Sequence, residues 1–453
     1  MKGHVPTPPE LADSMVEKLF SIRTPKEGDR VLYPGMGTGP FVAAVERFCE
    51  REGMAVPDGI GVELDPELLA ESQELHAERT VDIMERDFLR DLSDLDSFEY
   101  IIGNPPYVPI EDLDEKEKTR YKGGFDTATG RFDLYALFFE QALTKLTDDG
   151  VLVFVTPEKF EYVGSAAPLR KLLQSYSIEE IEHVAEDSFD GVTAYPTITT
   201  ITQEGSEETR VVRRDGTSSS VVLPKDGSSW ASQIRGVDLS DLETGVTLGE
   251  VCSRISCGVA TGADGLFVQN REEVPPQLLD EWTYPTTSGK QLQLNDGPDC
   301  GSVFISPYAK DGSLIDEDEL GDFGQWAEMH RDRLEDRYCY QNGHRAWYAW
   351  HERPPLDDIL QPKILCQDIA KEPKFWIDES GEVVPRHTVY YLIPEDHVDH
   401  RELAEYLNGP EARVWLEANC QRAANGYYRL QSKVLKELPV PREFGAEYQA
   451  TLV

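Results

Sequence analysis

The sequence predicts an α/β protein, a parallel sheet with helices on both faces followed by a second, mixed α/β domain. Three observations carry that expectation. Across residues 1–203, short apolar runs alternate with helix-like segments, the order expected of a parallel sheet covered by helices. A glycine-rich turn, Pro34-Gly35-Met36-Gly37-Thr38-Gly39, follows the first apolar run and opens a helix. Beyond residue 229 the composition changes, and all seven tryptophans lie from Trp230 onward.

The elements follow in order. A Pro-rich turn and an amphipathic helix occupy 5–20, a strand 30–33, and a helix 41–52 after the glycine turn. A second strand, 59–63, leads to Asp65-Pro66, where proline suits the first turn of a helix. Strands are expected at 82–85 and 98–102, then a polar insertion, a helix over 133–146 and the apolar strand 151–155. Strands 181–184 and 197–202 complete the sheet. Residues 204–229 turn to Gly, Ser, Thr and charge and read as a linker, with Val211-Val212 and Val221-Val222 as candidate hairpin arms. The second domain, 230–453, ends in a helical part from residue 401, and no internal repeat is apparent.

The chain of 453 residues carries a net charge of −40, which repels nucleic acid in ordinary buffer. Disorder is excluded by the 40% hydrophobic content and the periodic segments. A basic partner and a halophilic origin remain. The halophile is favoured because the acidity is spread along the whole chain, so strings such as 91–96 and 316–319 read as solvated faces. Seven scattered cysteines without a Cys-x-x-Cys pair speak against zinc and disulfides, and the histidines converge with no acidic ligands, so no metal is expected. With no apolar leader at the N-terminus and no long apolar span, a cytoplasmic protein without membrane contact is expected.

The chemistry gathers at strand ends. A glycine turn between strand and helix lets backbone approach a ligand at a helix N-terminus, although alone it is a weak signal. The second strand ends in Glu63, a carboxylate placed to accept hydrogens from a ribose diol, and the third is followed by Asp87-Phe88, an acceptor beside an apolar contact for a purine. The fourth ends in Asn104-Pro105-Pro106-Tyr107. An exocyclic amine on an aromatic ring is a poor nucleophile because its lone pair is delocalised. The Asn104 carbonyl oxygen and the carbonyl of the following proline can each accept one of its hydrogens and localise that pair. Two prolines hold the acceptors in place beforehand, and Tyr107 offers a ring face for an extruded base.

With these residues in this order, the chain resembles the γ-class, TaqI-like amino-methyltransferases of DNA, which carry a C-terminal target-recognition domain. The resemblance implies a Rossmann-like S-adenosylmethionine-dependent methyltransferase sheet. It implies methylation of adenine N6 in double-stranded DNA within restriction-modification or phage defence, with a separate restriction endonuclease or defence-system proteins as candidate partners. It further implies Asn104, Pro105, Pro106 and Tyr107 as catalytic residues, and Thr7, Pro34, Gly35, Gly37, Gly39, Glu63, Asp87 and Phe88 as cofactor-binding ones. Phe189 takes the position of an aromatic that packs on the flipped base, beside Tyr107. One departure is Tyr33, where the family has an acidic residue at the end of the first strand. In the second domain, 257–268 resembles the opening strand-turn-strand of the family's specificity domain, and 362–370, Leu407-Asn408 and 428–431 its later elements, with Lys363, Lys371, Lys374, Arg422, Arg429 and Lys433 as candidate base or phosphate readers beside Trp376, Tyr427 and Tyr428. The same Asn-Pro-Pro-Tyr turn serves other planar amines. Cytosine N4 in DNA, guanine N2 in ribosomal RNA and glutamine N5 in protein therefore stay open beside adenine, as does a non-catalytic DNA-binding relative.

Overall fold

The computed structural model describes residues 5–90, 92–185, 189, 195–237, 246–423 and 426–445, in two compact units, Met1–Val237 and Asp238–Val453. The first unit begins with α1 (Pro9–Ile22), β1 (Arg30–Pro34), α2 (Pro40–Glu52), β2 (Asp58–Glu63), α3 (Pro66–Leu75) and β3 (Val81–Glu85). It continues through β4 (Phe98–Gly103), α4 (Glu115–Gly124), α5 (Leu134–Leu143), β5 (Leu146–Pro157), α6 (Ala167–Leu173), β6 (Ser177–His183) and β7 (Pro196–Thr202). The hairpin β8 (Glu208–Val212) and β9 (Ser218–Val222) and the short α7 (Ala231–Arg235) close it.

Period-two alternation explains the layering. Val31 and Tyr33 of β1, Tyr100 and Ile102 of β4, and Val151, Val153 and Val155 of β5 pack on α1 and α2. The intervening Leu32, Ile101, Leu152 and Phe154 pack with α5 and α6 on the opposite face. Both faces of these three central strands are apolar, as a sheet covered on both sides requires. The order is β3-β2-β1-β4-β5-β7-β6-β8-β9, parallel from β3 to β5, with β7 antiparallel between β5 and β6. Strand order reverses between β1 and β4, where open α/β sheets bind ligands beyond the carboxyl ends of their strands.

The expected linker at 204–229 contains instead two strands of this sheet, β8 pairing parallel with β6 and antiparallel with β9. Trp230, assigned by composition to the second domain, is fully buried in the first unit, its indole N–H donating to the Pro224 carbonyl at 3.1 Å.

The second unit holds a four-stranded antiparallel sheet of Cys252–Cys257, Val389–Pro394, Lys363–Gln367 and Phe375–Asp378, in that spatial order. A Trp-rich core contains Trp282, Trp326, Trp347, Trp350 and Trp376. A second core gathers the helices His400–Leu407 and Pro410–Asn419. Among the described residues no helix is long and apolar enough to cross a membrane.

Candidate active site

The glycine turn owes its path to three residues in the left-handed region, Gly35, Gly37 and Gly39, with φ of +59°, +57° and +77°. That conformation disfavours any side chain. At Gly35 crowding adds to it, because a Cβ there would lie 3.3 Å from the Phe138 ring and 3.9 Å from Pro106 Cδ. The turn therefore presses against α5 and against the segment after β4. At Gly103 a Cβ would stand 3.2 Å from the Pro34 carbonyl oxygen, so β1 and β4 end almost in contact.

Glu63 ties the turn to its neighbour. Its Oε2 accepts the Gly37 N–H at 2.8 Å, while Oε1 accepts the N–H groups of Leu64 and Asp65 at 2.8 Å each. A carboxylate offers about four lone-pair sites, so one on Oε2 is left for a ligand rather than a pair for both hydroxyls of a diol. Asp87 is also engaged. Its Oδ1 accepts the Leu89 N–H at 3.0 Å, and its Oδ2 faces Arg90 and Arg120 at 3.1 and 3.2 Å. Phe88 is buried, its ring 5.0 Å from that of Phe138.

These groups line a cavity of about 380 Å³, within the range of small-molecule sites. Gly35, Glu63, Asp87, Phe88, Asn104 and Pro106 all reach its wall. The polar insertion after β4 supplies more of that wall than its composition promised: Leu113, Glu117 and Tyr121, on and beside α4, face the cavity. The readable signal was Asp114 with Glu117, which form a capping box at the start of α4. Among the described residues the wall carries four carboxylates (Glu63, Asp65, Asp87 and Glu117) and one cation, Arg86, with Asp87 also paired to Arg90 and Arg120 behind it.

At the end of β4 the Asn104 amide is held by its nitrogen. Nδ2 donates to the Val5 carbonyl at 3.0 Å and to Thr7 Oγ1 at 3.1 Å. A peptide carbonyl can only accept, so the amide nitrogen must face Val5, which fixes the sense of the amide. Its Oδ1 is then buried with no partner among the described residues. The Tyr107 hydroxyl reaches the Val155 carbonyl at 3.4 Å, and its ring meets Tyr135 edge-on with centroids 6.5 Å apart. Burial pushes the Tyr107 phenol above its ordinary pKa, so it stays neutral through the physiological range.

Other expected site residues lie elsewhere. Thr7 is buried and turned to Asn104. Pro34, Gly37, Gly39, Pro105 and Tyr107 shape the turns without lining the cavity. Tyr33 points to the other face of the sheet, 3% exposed among the residues packed on α1 and α2, away from the cavity. Phe189 is 3% exposed in the same cluster; its neighbours 186–188 and 190–194 lie outside the described residues. The Val5 carbonyl, a backbone atom, gave no sequence signal, and Phe138 read only as a core residue of its helix.

In the second unit Lys363 cannot read DNA. Its side chain is fully buried, its ammonium 2.6 Å from Asp378 Oδ2, and burial lowers its pKa. Lys374 pairs with Asp296, which also accepts the Trp376 indole N–H at 2.9 Å, and Arg429 faces Asp368 at 3.4 Å.

Residues 61–189 match the family described as Eco57I restriction-modification methylase, and residues 325–440 match the TaqI-like C-terminal specificity domain. The type II methyltransferase M.PaeR7I of Pseudomonas aeruginosa is 28% identical over 375 residues, 76% of this chain and 65% of that protein. M.XhoI of Xanthomonas vasicola is 24% identical over 381 residues, 76% of this chain and 68% of the relative. The chain spans about two thirds of the length of both relatives. The type IIL restriction-modification enzyme MmeI, solved in complex with DNA, shares the fold with a TM-score of 0.66 at 13% identity, over 98% of this chain and 66% of that one.

Proposed function

Since the chain belongs to the restriction-modification methylases that join an Eco57I-type segment to a TaqI-like specificity domain, we propose that it methylates the N6 amine of adenine in double-stranded DNA. The observation that carries this reading is the buried, unpartnered Oδ1 of Asn104, an acceptor held ready on a cavity wall. The methyl donor is S-adenosylmethionine, which when bound supplies an electrophilic methyl carbon on a positively charged sulfur. The residues present suit it. The wall is rich in carboxylates, Glu63 keeps one acceptor site for a ribose hydroxyl, and Asp87 with Phe88 offers a polar edge and an apolar face for a purine.

Asn104 Oδ1 accepts one hydrogen of the target amine, and the Pro105 carbonyl takes the other. The nitrogen lone pair is thereby drawn out of the ring's π system. Pro105 and Pro106 hold both acceptors before the base arrives, which is preorganisation rather than rearrangement. The neutral Tyr107 ring stacks on the extruded base. The methylated nitrogen then sheds a proton to water, so no strong general base is required. The second unit selects the sequence, and a separate restriction endonuclease is the expected partner.

The test is transfer of a labelled methyl group from S-adenosylmethionine to duplex DNA, followed by mass spectrometry of the digested nucleosides, across low to molar KCl. N6-methyladenine is expected. N4-methylcytosine would move the reading to the other base, and no incorporation into varied DNA at any salt would overturn it.

A further inference from the structure

We propose that Thr7 is a positioning residue, whose hydroxyl oxygen acts with the Val5 carbonyl to lock the Asn104 amide so that Oδ1 alone faces the substrate amine. The inference rests on the function proposed above and deepens it, giving Thr7 a role towards Asn104 where the resemblance implies one towards the cofactor.

An asparagine amide is nearly symmetric in shape, and its terminal torsion is broad and roughly two-fold. Turned by 180°, Asn104 would offer N–H groups to an amine that itself must donate. Something has to break the degeneracy. The Val5 carbonyl decides the sense, because a flipped amide would set oxygen against oxygen at about the 3.0 Å now spanned by a hydrogen bond. One such bond still leaves the second amide hydrogen unused and the amide plane free to rock. Thr7 Oγ1 takes that second hydrogen at 3.1 Å. With both Nδ2 hydrogens donated, the amide has two anchors on one side. Donation also shifts electron density along the amide towards Oδ1, which strengthens it as an acceptor.

The anchor is built to be stiff. Thr7 is 8% exposed, and a residue before proline is confined to extended backbone, which Pro8 continues at φ −60°, ψ 146° into α1. A segment 97 residues away in sequence is thus held against the catalytic turn by a side chain with few alternatives.

The experiment compares Thr7→Val, which keeps the shape and removes the acceptor, with Thr7→Ser, which restores it. Single-turnover methyl transfer and the KM values for DNA and S-adenosylmethionine are measured on the full chain, with circular dichroism as the check on folding. Thr7→Val should lower the rate about tenfold, the loss of one ordinary hydrogen bond, with both KM values within about twofold of the parent. Thr7→Ser should return the rate to within about twofold. In an Asn104→Ala background, Thr7→Val should change nothing further. A Thr7→Val rate equal to the parent, a Thr7→Ser variant as slow as Thr7→Val, or a loss confined to the KM for S-adenosylmethionine would each overturn the proposal. If Thr7→Val does not fold, Thr7→Ala is judged by the same criteria. An Asn104→Ala enzyme that remains fully active would instead sink the function proposed above, so the two failures are told apart.

Discussion

Helix α2 starts and stops on a glycine in the left-handed region, Gly39 at φ +77° and Gly53 at φ +66°, and the two sites differ in what surrounds them. A Cβ at Gly53 meets nothing within 4 Å. One at Gly39 would lie 2.3 Å from His76 Nε2 and 3.0 Å from Met36 Cε. His76 Nε2 stands 2.9 Å from the Thr38 carbonyl and so carries the hydrogen of that bond, while burial lowers the pKa of the ring and keeps it neutral. Gly53→Ala therefore costs the backbone term alone, about 1–2 kcal/mol. Gly39→Ala adds the lost His76 bond, about 0.5–1.5 kcal/mol, and the displacement of a buried ring, about 1–3 kcal/mol. For a unit of this size each kcal/mol moves the midpoint by roughly 2–4 °C. The first unit of Gly53→Ala should then melt some ~2–8 °C below the parent, and that of Gly39→Ala at least ~3 °C lower again. Differential scanning calorimetry of the two variants decides the matter. Equal midpoints would refute the reasoning, because the backbone cost is common to both and only the contact with His76 separates them.

Three further outcomes follow from the same geometry. Asn104→Asp keeps an oxygen near the position of Oδ1 but sets the other against the Val5 carbonyl, so its single-turnover rate should fall as far as that of Asn104→Ala, roughly 10²–10³-fold; a rate near the parent's would refute the orientation argument. Lys363→Met strands the buried Asp378 carboxylate, which then keeps only the Ser380 hydroxyl and the Gly381 and Val383 N–H groups, and urea unfolding of the second unit should show a loss of about 3 kcal/mol. DNA affinity of the folded variant should be unchanged. Asp29 gives a pH dependence. Burial alone would raise its pKa, but Arg23 at 2.6 Å, the Lys26 N–H and the Tyr100 hydroxyl hold it below the ordinary 3.8. A carboxyl lowered in the folded state adds stability above about pH 4 that disappears as pH falls through the folded value. The stability gap between the parent and Arg23→Gln should therefore narrow in acid, and a gap constant from pH 7 to pH 3 would contradict the assignment.

Much of the first unit was legible because local rules and global packing agree there. Alternation in β1, β4 and β5 tells of two buried faces, and Gly35, Gly37 and Gly39 mark a turn only glycine enters freely. What stayed hidden depends on partners distant in sequence. Nothing in residues 204–229 announces that β8 will pair with β6, because their polar, Ser-rich alternation suits a surface hairpin as well as a sheet edge. Lys363 reads as a DNA contact until Asp378 appears beside it; the apolar run Ile364, Leu365, Cys366 was the warning that this strand is buried. Glu63 lies on the cavity wall with three backbone donors already bound, a commitment set by the close approach of two turns. Tyr33, where the family pattern has an acidic residue, turns its side chain to the other face of the sheet, away from the cavity, which its position at the end of β1 did not announce.

The unpaired oxygen of Asn104 is one of several buried polar atoms without a hydrogen bond among the described residues, and it shares a fixed orientation with His76 Nδ1 and Arg386 Nε. The hydroxyls of Thr156, Thr199, Thr200 and Tyr391 can rotate, and Arg79 and Glu182 have ion-pair partners in Glu46 and Lys18. An amide oxygen whose nitrogen is bound twice can do neither. A buried acceptor left without a donor costs about 1–3 kcal/mol. Among the described residues it is also the one such atom that belongs to a residue lining the cavity. The same two bonds that impose this cost prevent its relief from within the chain. A donor brought by a substrate can relieve it, which is the part the proposed function gives to the target amine.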